Sequence, residues 1–197
     1  MGTDMYVFIE TDETDAVPFS GDHIFSFANG PIQPHRDYNV YDALAGGRNS
    51  QMFPEDQDPK REPLFAPRGV PSPCSLGVAR NYYYLVAEPN DMPSGRFWPK
   101  ERCISPAEAE DWLTSKGCVE SQVHQWFNGK RLWRAVSEPA NRTATWLRLD
   151  EFDASLRHHG LELESLHPDY AALRSATDTL ARRHGADRVR VVLWFDD

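Results

Sequence analysis

Cysteine is scarce in this chain. Cys74, Cys103 and Cys118 are the only three in 197 residues, they lie far apart, and no C-x-x-C occurs. An odd number at such spacing is neither a disulfide framework nor a zinc ribbon, so three reduced thiols are expected. Long apolar runs are missing too: no stretch approaches the roughly 20 residues of a membrane span. The opening MGTDMYVFIETDETD is acidic and lacks the basic, apolar, small-residue order of a secretory signal. Tyr6 stands where myristoylation would want Ser or Thr. A soluble, cytoplasmic chain without membrane association is expected. Catalytic signatures are equally sparse. The Gly46-Gly47-Arg48-Asn49 turn lacks the G-x-x-x-x-G-K-[ST] spacing of a P-loop. No G-x-G-x-x-G, G-x-S-x-G, H-E-x-x-H or H-x-E with P-C-x-x-C is present. No cofactor is named by the sequence, and no metal is expected.

Positive charge is short as well, but only in one part of the chain. The net charge is -9. Residues 1–60 hold 11 Asp/Glu against 3 Lys/Arg, and residues 61–197 hold 19 against 18. Almost the whole imbalance therefore falls in the first third. Unaided binding to a nucleic-acid backbone is not expected, because that affinity comes from clustered Lys and Arg. The acidic third is either a solubilising face or a docking surface for a basic protein, with Asp12, Glu13, Asp15 and Asp22 as its partner-binding residues.

What is present is a mixture of strand and helix patterns without a strict β-α-β rhythm. Hydrophobic residues make up 40% of the chain, enough for a core of one domain. In residues 4–10, Met5, Val7 and Ile9 alternate with Asp4, Tyr6, Phe8 and Glu10, which reads as a strand. Residues 38–45 read as a short helix closed by Gly46-Gly47. Six prolines in residues 50–75 make an extended loop. Further strands are expected at 82–87 and 131–136. Ser105-Pro106-Ala107-Glu108 opens a capped helix running to about Ser115. Other helices are expected at 149–159 and from Pro168 to before Gly185. The latter has Leu173, Ala176, Thr177 and Leu180 on one face. The five apolar residues 191–195 suit a central strand buried on both faces. The fold class is α+β: a mixed sheet with helices packed on it, in a single domain elaborated at about 88–143.

Several groups carry possible chemistry. Asp4, Tyr6 and Glu10 share a strand face, Asp196 and Asp197 leave the last strand, and Arg36, Arg48, Asn49 and Arg68 lie on loops. Arginine's planar fork suits phosphate or carboxylate, and paired carboxylates suit acid–base work or Mg²⁺. Asp4, Glu10, Arg36, Arg48, Asn49, Arg68 and Asp197 would then form a pocket for a nucleotide-like ligand. The plainer alternative is that the same groups form ion pairs that organise long loops. His23 and His35 would pair with Asp22 or Asp37. His158, His159 and His184 would complement helix C-termini. The six tryptophans and the Tyr82-Tyr83-Tyr84 run are core or bridging residues. The alternative for Phe97-Trp98 and Trp126-Phe127 is an exposed anchor patch.

Motifs at both ends of the chain bear a family resemblance. They are Met1-Gly2-Thr3-Asp4-Met5-Tyr6 followed by Glu10, Arg36-Asp37-Tyr38, and Ala43-Leu44-Ala45-Gly46-Gly47-Arg48-Asn49. Pro67-Arg68-Gly69-Val70-Pro71, Thr145-Trp146-Leu147-Arg148-Leu149-Asp150-Glu151-Phe152 and Trp194-Phe195-Asp196-Asp197 complete the set. Together they resemble a family of bacterial and phage proteins that open Met-Gly-Cys-Asp-Ile-His and end Trp-Phe-Asp-Asn. The chain departs from that pattern at Thr3 and Tyr6, which replace its Cys and His. Arg148 stands where the family carries a helix-capping Thr. The resemblance implies a phage or prophage setting and no particular activity. Two functions follow as expectations: a partner-binding accessory protein, such as a counter-defence inhibitor of anti-CRISPR type covering a basic nucleic-acid-binding surface, or a small enzyme or binding protein for a phosphorylated ligand.

Overall fold

The structure is a computed structural model and describes residues 3–13, 17–19, 24–28, 30–46, 62–86, 125–127, 130–137 and 141–196. Strands β1 (Asp4–Asp12), β2 (Ile24–Ser26), β6 (Asn141–Leu147) and β7 (Val189–Asp196) form a four-stranded sheet in the order β2-β1-β7-β6. Strands β3 (Tyr83–Val86), β4 (Gln125–Phe127) and β5 (Lys130–Ser137) form a second sheet in the order β3-β5-β4. The helices are α1 (Tyr38–Ala45), α2 (Leu76–Tyr82), α3 (Leu149–His158) and α4 (Pro168–His184). The α+β class stands. Every pairing is antiparallel, so the sheet expected to be mixed is antiparallel throughout the described residues.

The two ends of the chain make the centre of the sheet. Asp4 lies opposite Asp196 and Thr11 opposite Val189, so β7 pairs along its whole length with all of β1 but Asp12. A register fixed over that distance places Met5, Val7, Ile9, Val191, Leu193 and Phe195 together in the main hydrophobic cluster. Helices α1, α3 and α4 cover this face with Val40, Leu44, Phe152, Leu156, Tyr170 and Leu173. Each helix end has a local cause. Asp37 accepts the Asn39 N–H at 3.0 Å to start α1, and Gly46, in the left-handed region at φ 66°, ends it. A Cβ at Gly46 would lie 2.8 Å from Pro63 Cδ, so only glycine fits both the conformation and the space.

Arg148 makes no side-chain cap for α3, as its chemistry requires, but Glu151 accepts the Arg148 N–H at 2.9 Å. Pro168 opens α4 and Gly185 closes it. The buried face of α4 is Tyr170, Leu173, Thr177 and Ala181, with Ala176 and Leu180 half-buried, so the helix is rotated slightly from the expected stripe.

The opposite face of the sheet is buried too. Trp194 stacks on Tyr6 and Phe8 with ring centroids 6.1 and 5.5 Å apart, and meets Tyr82 of α2 edge-on at 5.3 Å. Helix α2 replaces the first residue of the strand expected at 82–87. Ser75 Oγ accepts the Val78 N–H at 3.3 Å and caps it, and Gly77 lies close against Ser26 and Phe8. The helix expected from Ser105 lies outside the described residues, as does most of the elaboration expected at 88–143. Among the described residues no helix is long and apolar enough to cross a membrane.

Candidate functional site

The described charged residues of the expected pocket are held in three separate ion pairs. Glu10 is fully buried, and its register partner Arg190 is 4% exposed. Arg190 donates to Glu10 from Nε at 2.8 Å and from Nη2 at 2.7 Å, and the Ser75 N–H donates to the other carboxylate oxygen at 2.5 Å. Arg190 Nη2 also donates to Pro73 O at 2.6 Å, and the guanidinium lies over the Phe19 ring at 3.8 Å. Burial of a lone carboxylate or guanidinium is prohibitive. Here the pair satisfies itself and ties residues 73–75 and Phe19 to the sheet.

Arg68 forms the second pair. Its two Nη groups donate to Glu151 at 2.8 and 2.5 Å, and it packs over the Trp146 ring at 4.5 Å. Burial alone would raise the Glu151 carboxyl, but hydrogen bonds from Arg68 and the Arg148 N–H outweigh it and hold it below the usual carboxylate range. The third pair joins Arg36 Nε to Asp4 at 2.5 Å, with both side chains nearly half exposed. The hydrogen bond from Arg36 lowers the Asp4 carboxyl. Tyr6 donates to Asp196 at 3.3 Å, and burial raises its phenol, helped by the Asp196 charge.

These positions decide what the expected ligand group can do together. Asp4 and Glu10 lie on one strand face but six residues apart, about 20 Å. Arg36 belongs with Asp4 and Arg68 with Glu151, so the described members of the expected pocket are divided among three pairs. Arg48, Asn49 and Asp197 lie outside the described residues. Asp12 needs a correction. It is buried and accepts a hydrogen bond from the Phe19 N–H, so its carboxylate shapes the turn after β1 and is not offered to a partner. Glu13 is exposed and 4.0 Å from His184 Nε2 at the end of α4. Asp15, Asp22 and His23 lie outside the described residues. His35 stacks on His167, with ring centroids 4.4 Å apart. A groove of about 310 Å³ between α3 and α4 is lined by Leu156, Leu161 and the Arg174–Asp153 pair and contains none of the expected residues. Among the described residues no group of three or more His, Cys, Asp or Glu is placed to hold a metal ion.

Sequence reasoning missed Arg190, Phe25 and Phe27. An arginine inside an apolar strand requires a carboxylate on a neighbouring strand, which is the signal that Arg190 carries. Phe25 and Phe27 are 51% and 60% exposed on the edge of the sheet, and Val17 is 72% exposed. The stretch Ile24-Phe25-Ser26-Phe27 is too short to carry a periodic signal of its own. Comparison with protein-family models finds no match, and neither does comparison with curated proteins or with solved structures.

Proposed function

We propose that this chain is an acidic, cytoplasmic accessory protein of phage or mobile-element type that acts by binding a basic protein partner. Covering the nucleic-acid-binding surface of such a partner, as a counter-defence inhibitor of anti-CRISPR type does, is the form that fits its charge. The observation that carries the reading is a coincidence in position. The acidic excess lies in residues 1–60, and of the five large hydrophobic residues exposed among the described residues, four, Val17, Phe25, Phe27 and Tyr38, lie there too. Apolar anchors within a field of one sign are what a charge-steered protein interface requires. The phosphorylated-ligand alternative has no comparable support, since Asp4, Glu10, Arg36 and Arg68 are already engaged with protein groups.

Charge reversal tests the reading. Glu13→Lys, Asp15→Lys and Asp22→Lys combined are expected to weaken capture of the partner from the native host by about tenfold or more, mainly through slower association. Wild-type binding is expected to fall as salt rises. Binding indifferent to both salt and the three charges overturns it. Asp12 is left out because its burial makes it a folding residue.

A further inference from the structure

The two edges of the four-stranded sheet are treated differently. The outer edge of β6 is covered by the loop before α2. Gly69 N–H donates to Ala144 O at 2.9 Å, Arg68 N–H to Thr145 Oγ1 at 3.2 Å, and the Arg68 guanidinium to Trp146 O at 3.3 Å. At the other end of the sheet β2 is the terminal strand, and among the described residues no further strand pairs with it. Phe27 N–H donates to Ile9 O at 2.8 Å, so Phe27 and Ile9 are a hydrogen-bonded pair. Alternation along an antiparallel ladder then turns the N–H and C=O of Ser26, which lies opposite Glu10, away from β1. Phe25 and Phe27 are two residues apart, project to the same face, and are more than half exposed. Natural edges are usually blunted by Lys, Pro, a bulge or shortness, and of these β2 has only shortness, at three residues. The stretch Ile24-Phe25-Ser26-Phe27 has neither Lys nor Pro, and its register with β1 is regular.

We propose that the outer edge of β2 is a strand-addition site for an extended Lys/Arg-bearing segment of a partner protein. The proposal rests on the partner-binding reading and gives that reading a location. Main-chain hydrogen bonds to Ser26 supply the register, and alternate apolar side chains of the incoming strand cover Phe25 and Phe27. Charge selects the occupant. The chain from β1 to β2 carries Glu13, Asp15 and Asp22 and no Lys or Arg, so two copies meeting edge to edge repel, whereas a basic strand is attracted.

The test uses the full chain and a display library of short random peptides. Enriched sequences are expected to alternate apolar residues with Lys or Arg. Their affinity, measured by fluorescence anisotropy, is expected to drop at least about tenfold in the Phe25→Ser, Phe27→Ser double variant and in Ser26→Pro. Ser26→Pro removes the outward N–H together with the hydroxyl that lies against Gly77, and proline is tolerated on an edge strand. Circular dichroism checks that each variant folds, and the double variant keeps the test intact if Ser26→Pro does not. Enrichment of acidic or uncharged peptides, no enrichment, or unchanged binding to both folded variants overturns the proposal. Self-association of the wild type that the double variant abolishes also overturns it, by making a second copy the occupant. A host partner that responds to Glu13, Asp15 and Asp22 reversal but ignores both edge variants defeats the edge proposal and leaves the partner-binding reading standing. Loss of neither kind defeats both.

Discussion

The two faces of the central sheet are buried by opposite means. On the helix side, β1 and β7 present Met5, Val7, Ile9, Val191, Leu193 and Phe195, and three helices close over them. On the other side the same strands present Phe8 and Trp194 beside Glu10 and Arg190, closed over by α2 and by residues 73–75. Apolar packing is non-directional and proportional to buried area, so the first face tolerates helices at various angles. The buried ion pair is directional. It fixes which backbone groups of the loop face the sheet, and it penalises every arrangement that leaves one charge unmatched. The first face thus contributes most of the stability, and the second fixes where the loops go.

The sharpest way to break that contrast is to remove one member of the buried pair. Glu10→Ala leaves Arg190 buried without its carboxylate and the Ser75 N–H without its acceptor. Denaturant unfolding is expected to show a loss of about 3–5 kcal/mol. Replacing both residues by Met removes the charge problem, and the double variant is expected to recover most of that loss. A double variant as unstable as the single one shows that the pair contributes to stability beyond avoiding an unmatched charge. On the apolar face, Leu193→Ala is expected to cost about 3 kcal/mol from lost transfer energy and a residual cavity. No second substitution should rescue it in the manner of the Met pair.

These two faces were not equally legible in the sequence. The apolar face was readable because its signals are local. The alternation of β1, the apolar run of β7, the Gly46-Gly47 stop, and Pro168 with Gly185 place β1, β7, α1 and α4 within a residue or two of where they lie, and α3 likewise falls at the expected 149–159. The polar face was not readable, because Glu10 and Arg190 are 180 positions apart and become neighbours only through the strand register. Strand β6 escaped for a related reason. Its sequence, Asn141-Arg142-Thr143-Ala144-Thr145-Trp146-Leu147, has no clear apolar alternation, and its pairing with β7 shifts between Arg142 and Thr145. Strand β2 is three residues long, below the length at which periodicity is visible. The candidate ligand group failed to converge because residue type indicates what a side chain can do, while distance decides which partner it meets.

A partly buried pair should fall between the extremes. Arg68→Ala is expected to cost about 1 kcal/mol, since it removes a two-pronged contact to Glu151 whose partners are 28% and 18% exposed. The effect has a pH signature. Glu151 has a folded-state carboxyl pKa below its ordinary value, so its contribution is complete above the unfolded pKa of about 4.3 and disappears as pH falls through the lower folded value. Urea unfolding of wild type and Arg68→Ala should therefore differ near neutrality and converge on acidification. Curves that stay parallel into acid would mean that Arg68 acts through its packing on Trp146 instead.

The smallest effect is expected where the same chemistry meets solvent. Arg36 and Asp4 make a bond as short as any in the buried pair, but their side chains are 47% and 44% exposed. Water already satisfies both ions in the unfolded chain, so the attraction is screened and offset by the entropy of holding two flexible groups. Arg36→Gln is expected to lower the unfolding midpoint only slightly. The Asp4 carboxyl, now depressed by the Arg36 hydrogen bond, should rise toward its ordinary value, as an NMR titration of the side-chain carbon would show. The sign follows from linkage: a depressed carboxyl favours the folded state only above its unfolded pKa, and that advantage fades as pH falls through the folded pKa. A clear drop in the midpoint at neutral pH would contradict the screening argument. It would place Asp4 and Arg36, beside the loop before α1, with Glu10 and Arg190 as a pair that organises loops.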